Sequence, residues 1–339
     1  MKKIIGLSCG KINGNCETLL KSAAMGAAEL SVDTEIIRAM ELRVLPCKGC
    51  HACFKTKKCV QDDDIEWVLE KTMVEDAGLI LSIPTYHLRS NAYLACITDK
   101  ILHVFRNLNQ HKMNVINKTR VGGIIGMGGS GYDAWASLNL TTANIFLQHT
   151  RILVDQIQVN QCGLKEWNLW LQNKALPQGH TNKVRCQDMD YDKVWELWNE
   201  DNDPVDFTRE SLARARQLGR NVAAAMSLPI EKVKYVGEEY AVACPVCHCN
   251  VLVIPEDLPH VGCPVCWVRG IVKTENGNMK VEWNMDDARN PRYSASGQEH
   301  HWNWLTSHAA KRAAMKNEIS ELTEGVKNYG RIIRPGNNI

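Results

Sequence analysis

From residue 3 to about residue 226, short apolar runs alternate with stretches whose apolar residues recur every three or four positions. This alternation constrains the fold more than any other feature of the chain. The runs Lys3 to Ser8, Glu35 to Ala39, Gly78 to Ile83, Val121 to Met127 and Ile152 to Val159 predict strands. The stretches Glu17 to Leu30, Ile65 to Glu75, Ala92 to Leu108 and Trp135 to His149 predict helices between them. Phe207 to Met226 predicts a closing helix, with Leu212, Ala215, Leu218, Val222 and Ala225 on one side. Strands separated by helices cannot pair as hairpins, so the pattern predicts an α/β fold: a doubly wound, five-stranded parallel sheet with helices on both faces. Such sheets bind ligands beyond the carboxyl ends of their strands, and the loops there are where function is to be sought.

At 339 residues the chain exceeds one average domain. The organisation predicted is a sheet domain over 1–228 interrupted by a Trp-rich insert at 160–205, a small four-cysteine module at 236–275, and a tail at 276–339 containing a helix from Ala309 to Val326. Trp167, Trp170, Trp195 and Trp198 in the insert fit a local subcore, a lid or an interface element. Forty basic residues against 38 acidic ones give a net charge of +2 with no long run of one sign, which argues against a nucleic-acid or membrane-surface partner. The opening MKKIIGLSCG reads as a first strand rather than an export signal, and a cytoplasmic protein is expected. Fourteen cysteines in a chain of this kind point to metal or redox work rather than disulfides.

Three strand-end loops share a theme. The first, with Ser8, Gly10, Lys11, Asn13, Asn15 and Cys16, joins a strand directly to a helix, and its small residues let backbone amides approach an anion such as phosphate. It fits neither the P-loop nor the dinucleotide glycine pattern, so a mononucleotide such as FMN is the expected guest. After the third strand come Pro84, Thr85, Tyr86, His87 and Ser90, with the proline expected to end the strand. After the fourth come Gly128, Gly129 and Ser130, a nearly bare backbone suited to a flat ring. The doubly wound sheet would gather all three loops around one crevice.

These motifs, together with Pro46 to Asp63, Asp99-Lys100 and the Ala215 to Arg220 stretch, resemble the flavodoxin-like iron-sulfur flavoproteins and their relatives, the NAD(P)H-dependent FMN reductases. The resemblance spans roughly residues 1–159 and 206–226. It departs at Cys16, where the family has threonine, and at Lys11, where arginine is common. It implies FMN, an iron-sulfur cluster, ferredoxin or NAD(P)H as electron donor, and a homo-oligomer in which clusters and flavins of different subunits approach.

Cys47, Cys50, Cys53 and Cys59 form C-x2-C-x2-C-x5-C, which presents thiolates at intervals suited to the corners of a 4Fe-4S cluster. A single zinc ion is more often gripped by two separate C-x2-C turns, and the resemblance adds weight to the cluster. Those separate turns occur later, as Cys244-x2-Cys247 and Cys263-x2-Cys266, a spacing right for a tetrahedral four-thiolate site. Pro255 to Pro259 resembles rubredoxins; iron here would be an electron-transfer centre and zinc a structural clip, and tetrahedral sulfur alone leaves both open, with iron the better companion to a flavin.

The function expected is an FMN- and iron-sulfur-dependent oxidoreductase acting on a small-molecule substrate, with the insert and Glu299 to Trp304 as candidate pocket walls. The alternative is an electron carrier without an organic substrate. A nucleic-acid-binding ribbon is disfavoured because Glu238, Glu239, Glu256 and Asp257 surround the knuckles.

Overall fold

In the computed structural model, which describes residues 2–56, 58–101, 120–128, 136–160, 209–240, 242–255 and 258–327, the chain forms two compact units, 1–293 and 294–339. The first unit is built on strands β1 (Lys3–Ser8), β2 (Asp33–Arg38), β3 (Gly78–Tyr86), β5 (Arg120–Gly128) and β6 (Arg151–Asn160), all parallel in the order 2-1-3-5-6. A two-residue strand, β4 (Arg89–Ser90), turns back antiparallel on the end of β3 and makes a sixth. The five parallel strands are those the apolar runs predict: β1 has the predicted bounds, β2 starts two residues earlier and ends one earlier, and the other three are two or three residues longer.

Alternation along the strands divides the core. Ile5, Leu7, Leu79, Leu81 and Ile124 face one way, onto α3 (Ile65–Leu69), α4 (Ala92–Asp99) and α5 (Asn139–Leu147). Ile4, Ile80, Val121, Ile125 and Val154 face the other, onto α1 (Asn15–Ala28) and α6 (Arg209–Ala225). Burying a side chain such as Leu19 or Leu218 there stabilises the fold by about 2 kcal/mol. The two helices of the second face approach through glycine: a Cβ on Gly26 would lie 1.9 Å from Arg216 O, and one on Gly219 would lie 1.8 Å from Ala23 O.

Pro84 does not end its strand. It lies within β3, opposite Met127 of β5, while the pairing of β3 with β1 stops at Ser82. The ladder bond that a proline cannot make would face the space beyond the end of β1, so the missing N–H costs nothing there.

A second, three-stranded antiparallel sheet follows: β7 (His260–Gly262), β8 (Arg269–Glu275) and β9 (Asn278–Trp283), closed by the short α7 (Met285–Arg289). The hairpin turn Asn276-Gly277 has positive φ at both residues, the geometry of a type I′ turn and the sequence preferred for it. The second unit consists of α8 (Ala295–Ala314), capped by Ser294 accepting from Gly297 N at 3.1 Å, and α9 (Lys316–Lys327). The single helix expected from Ala309 to Val326 is thus replaced by two, parted at Met315. The insert with Trp167, Trp170, Trp195 and Trp198 lies outside the described residues, as do Gly129, Ser130, Cys162 and Cys186.

Candidate functional site

At the carboxyl edge of the sheet, Ser8 ends β1, and Cys9 N donates to Ser82 O of β3 at 2.9 Å. Asn91, the N-cap of α4, donates from Nδ2 to Cys9 O at 2.6 Å and so ties the third strand-end loop to the first. The first loop is tight. Gly14 N donates to Lys11 O at 2.9 Å, Asn13 takes φ +54°, and a Cβ on Gly10 would sit 2.8 Å from the Cys16 sulfur.

Cys16 turns inward from this loop. Burial pushes its thiol up to about 12, so it is a neutral packing group at neutral pH. The loop is held instead by Glu17, whose carboxylate accepts from Asn13 N at 2.9 Å and pairs with Arg38 at 2.8 Å and Lys21 at 2.6 Å. The Arg38 hydrogen bond, with Lys21 and the Asn13 amide, holds that carboxyl down at about 2.

Two hydroxyls at this edge, Ser8 Oγ and Thr85 Oγ1, are buried without a hydrogen-bond partner. Buried hydroxyls are normally bonded, so this pair marks where a polar ligand group belongs. With the small residues of the first loop, they fit the phosphate and ribityl end of FMN, the group expected from the sequence.

The third loop is a strained hairpin. His87 and Leu88 are the two central residues between the Tyr86–Arg89 pair, and both have positive φ, +49° and +74°. A left-handed conformation costs roughly 1–2 kcal/mol per non-glycine residue, and the type I′ turn favours Asn-Gly instead. The turn is latched by Leu138 N donating to Leu88 O at 2.9 Å and Ser90 N donating to Thr142 Oγ1 at 3.1 Å. It leaves Tyr86 and Leu88 exposed at 58% and 39%.

Cys47, Cys50, Cys53 and Cys59 lie on the loop after β2 and on the short α2 (Cys53–Thr56). Gly49 and His51 adopt positive φ between them, and Gly49 N donates to Cys47 Sγ at 3.4 Å. Burial raises the Cys53 thiol, and the charges of Cys59, Cys47 and Cys50 add to the rise, so the four share one neighbourhood. The acidic run beside them closes the loop at its base. Arg43 N donates to Asp64 Oδ2 at 2.7 Å, Asp64 N donates to Arg43 O at 2.9 Å, and Leu45 N donates to Asp63 Oδ2 at 3.3 Å. Lys100, just past α4, forms a buried ion pair with Asp63, the two side chains 4% and 2% exposed.

The second cysteine group is already assembled. The sulfurs of Cys244, Cys247, Cys263 and Cys266 all lie within 4.8 Å of one another, and all four residues are buried. Two knuckles of the same design build it. In one, Cys244 N donates to Cys249 O and His248 N donates to Cys244 O; in the other, Cys263 N donates to Val268 O and Trp267 N donates to Cys263 O, each at 2.9 Å. His248 and Trp267, each following the second cysteine of its knuckle, take φ +53° and +60°. Hydrogen bonds from Cys244, Cys247 and Cys266 hold the Cys263 thiol low, while Cys244 and Cys266 are driven high. Four thiols this close cannot all ionise without a cation among them.

The first knuckle is fastened to the parallel sheet. Gln156 of β6 donates from Nε2 to Cys247 O at 3.2 Å and to His248 O at 3.0 Å, and accepts from Asn144 Nδ2 at 2.8 Å. Asn144 also reaches Cys249 Sγ at 3.3 Å, and the His248 ring stacks on Tyr235 at 3.6 Å. Sequence reading missed this network; Gln156 and Asn144 are polar residues inside predicted core elements, and that misfit was the available signal. His301, Trp304 and His308, near the expected pocket wall, stack along α8 in the second unit, at 6.0 and 4.2 Å.

Residues 2–159 match the NADPH-dependent FMN reductase family. An iron-sulfur flavoprotein of Methanocaldococcus jannaschii is 29% identical over 153 residues, 45% of this chain and 75% of that protein. Another, from Methanosarcina thermophila, is 33% identical over 129 residues, 38% of this chain and 64% of that protein. A solved flavone reductase shares the fold, with a TM-score of 0.65 at 20% identity in an alignment covering 98% of this chain and 100% of that one. The family match and these relatives support an FMN-dependent reductase on a flavodoxin-like fold, with a four-cysteine group toward its C-terminus. Among the described residues, no helix is long and apolar enough to cross a membrane.

Proposed function

We propose that the chain is a reductase in which FMN lies at the carboxyl edge of the sheet and exchanges electrons with thiolate-bound iron to reduce a small-molecule substrate. The observation that carries this reading is the pair of partnerless buried hydroxyls, Ser8 Oγ and Thr85 Oγ1, at the strand ends beside the first loop. Ser8, Gly10, Lys11, Asn13 and Asn15 would take the phosphate, with Cys16 supporting them from inside. Pro84, Thr85, Tyr86, His87, Ser90, Gly128, Gly129 and Ser130 would border the ring. Cys47, Cys50, Cys53 and Cys59 would hold a 4Fe-4S cluster at the same edge; a cubane spaces its thiolates by four irons, so these sulfurs need not crowd as those of a one-ion site do. Cys244, Cys247, Cys263 and Cys266 would hold one iron, with zinc the alternative. FMN, when bound, supplies the exchange between one- and two-electron steps, while the chain orients it and sets its surroundings.

NAD(P)H or ferredoxin would supply electrons, in a cytoplasmic homo-oligomer that the exposed Tyr86 and Leu88 fit at a contact between copies. The test is anaerobic rapid mixing of the full chain with NAD(P)H or reduced ferredoxin, following bleaching of the flavin and its return on adding quinones or, given the fold shared with a flavone reductase, flavones. Saturable reoxidation by an organic acceptor supports the reductase. Reoxidation by oxygen or a redox protein alone favours the carrier.

A further inference from the structure

The amino edge of the sheet, at the other end of the strands from the flavin crevice, carries a feature that the redox chemistry does not use. β5 and β6 each begin with an arginine, and Arg120 and Arg151 stand opposite each other in the parallel register. Both are buried, Arg151 fully and Arg120 to 6% exposure. Arg120 spends its two terminal nitrogens on backbone. Nη2 donates to Met73 O at 2.7 Å, and Nη1 donates to Val74 O at 2.8 Å and Glu75 O at 2.5 Å, which caps the π-helical turn Glu70–Val74 before β3. Arg151 donates only from Nη1, to Thr150 Oγ1 at 2.8 Å and, more weakly, to Thr150 O at 3.4 Å.

The remaining guanidinium nitrogens are unpaired among the described residues. Arg151 Nε and Nη2 are both buried without a hydrogen-bond partner, and so is Arg120 Nε. Nε and Nη2 form one side of the planar guanidinium, the side whose two parallel N–H groups match the two oxygens of a carboxylate or phosphate. Among the described residues no carboxylate bonds to either arginine, and the acid whose charge reaches both, Asp76, is exposed to solvent. A guanidinium does not shed its proton in a protein, and an uncompensated buried charge is among the costliest defects a fold can carry. Two like charges side by side compound it. An anion bonded along the unpaired edge of Arg151 would remove the defect.

We propose that the Nε–Nη2 edge of Arg151, with Arg120 beside it, is a structural oxyanion site that takes a carboxylate or phosphate side-on. The site is independent of the flavin phosphate loop, because the two lie at opposite ends of the parallel strands. Its occupant neutralises the two cations and pins the starts of β5 and β6 together.

The experiment is thermal unfolding of the full chain, saturated with FMN so that its phosphate loop is filled, at constant ionic strength with chloride replaced stepwise by inorganic phosphate or by acetate. A ligand at a hundredfold excess over its dissociation constant raises the midpoint by about 4 °C in a chain of this size. The wild type is expected to show a rise of that order that saturates with one of the two anions, and which anion does so identifies the chemistry. Arg151→Met and Arg151→Lys, which lack the side-on edge, are expected to lose the saturating rise, and Arg151→Met to be more stable than wild type in chloride alone. A wild-type midpoint that drifts only linearly with both anions, as general salt effects do, overturns the proposal, as does an equal saturating rise in Arg151→Met. The wild-type curve decides the matter even if a variant does not fold.

Discussion

The two cysteine groups of this chain are built on opposite principles. Cys244, Cys247, Cys263 and Cys266 are fully buried, with their sulfurs gathered by two hydrogen-bonded knuckles. Cys47, Cys50, Cys53 and Cys59 sit half-exposed to exposed on a loop closed only at its base. The difference matches what each is proposed to hold. One ion needs four sulfurs at nearly fixed positions, which short turns and a small sheet can set in advance. A 4Fe-4S cluster of the kind proposed for the first loop would contribute its own shape, so the chain need only anchor the loop ends at the edge of the sheet.

The comparison can be broken most severely at the assembled site. Cys263→Ser is expected to abolish metal retention there, by a factor well above a hundred in affinity, and to loosen the module, as metal analysis and thermal unfolding would show. The same change at Cys50 is expected to cost the cluster while leaving the fold nearly as stable, since Cys50 is exposed and contributes little packing.

Next in size is the anchor of the open loop. Lys100→Met leaves Asp63 buried and unpaired, and about 3–5 kcal/mol of stability is expected to go, together with the iron and sulfide of the first site. Adding Asp63→Asn is expected to recover much of the stability, measurable by denaturant unfolding. Gln156→Leu is expected to cost about 1–3 kcal/mol, because Cys247 O and His248 O lose their donor, and to act on the second site alone.

Smaller effects belong to the flavin edge. The Glu17 carboxyl is depressed to about 2, so the stability it contributes is present above its ordinary value near 4.5 and is lost as pH falls toward 2. Glu17→Gln is expected to flatten the acid limb of the stability curve over that window and to weaken FMN retention by loosening the first loop, since the ion pairs with Arg38 and Lys21 are lost. Replacing His87-Leu88 by Asn-Gly is expected to stabilise the chain by about 1 kcal/mol through relief of the left-handed strain. If the strain serves the site, the same variant weakens flavin or substrate binding, which a fluorescence titration reads.

The sheet was legible because its inner strands β1, β3 and β5 are buried on both faces and its helices on one, so period and burial agree there. The two knuckles were legible for a different reason: Cys-Pro-Val-Cys fixes its own turn, whatever surrounds it. Less could be seen where one residue answers to a distant one. Gln156 and Asn144 appear as interior misfits until the knuckle carbonyl lies against them, and Asp63 reads as one of three surface acids until Lys100 is placed above it. The proline at 84 misled because its cost depends on where the neighbouring strand stops, which no local pattern records.

The proposed redox chain is decided by anaerobic purification of the intact chain, with flavin, iron, inorganic sulfide and zinc counted per polypeptide. About one FMN, a cluster's complement of four irons with four sulfides, and one further metal ion at the knuckles are expected. A protein that emerges colourless, with neither flavin nor sulfide, would contradict it.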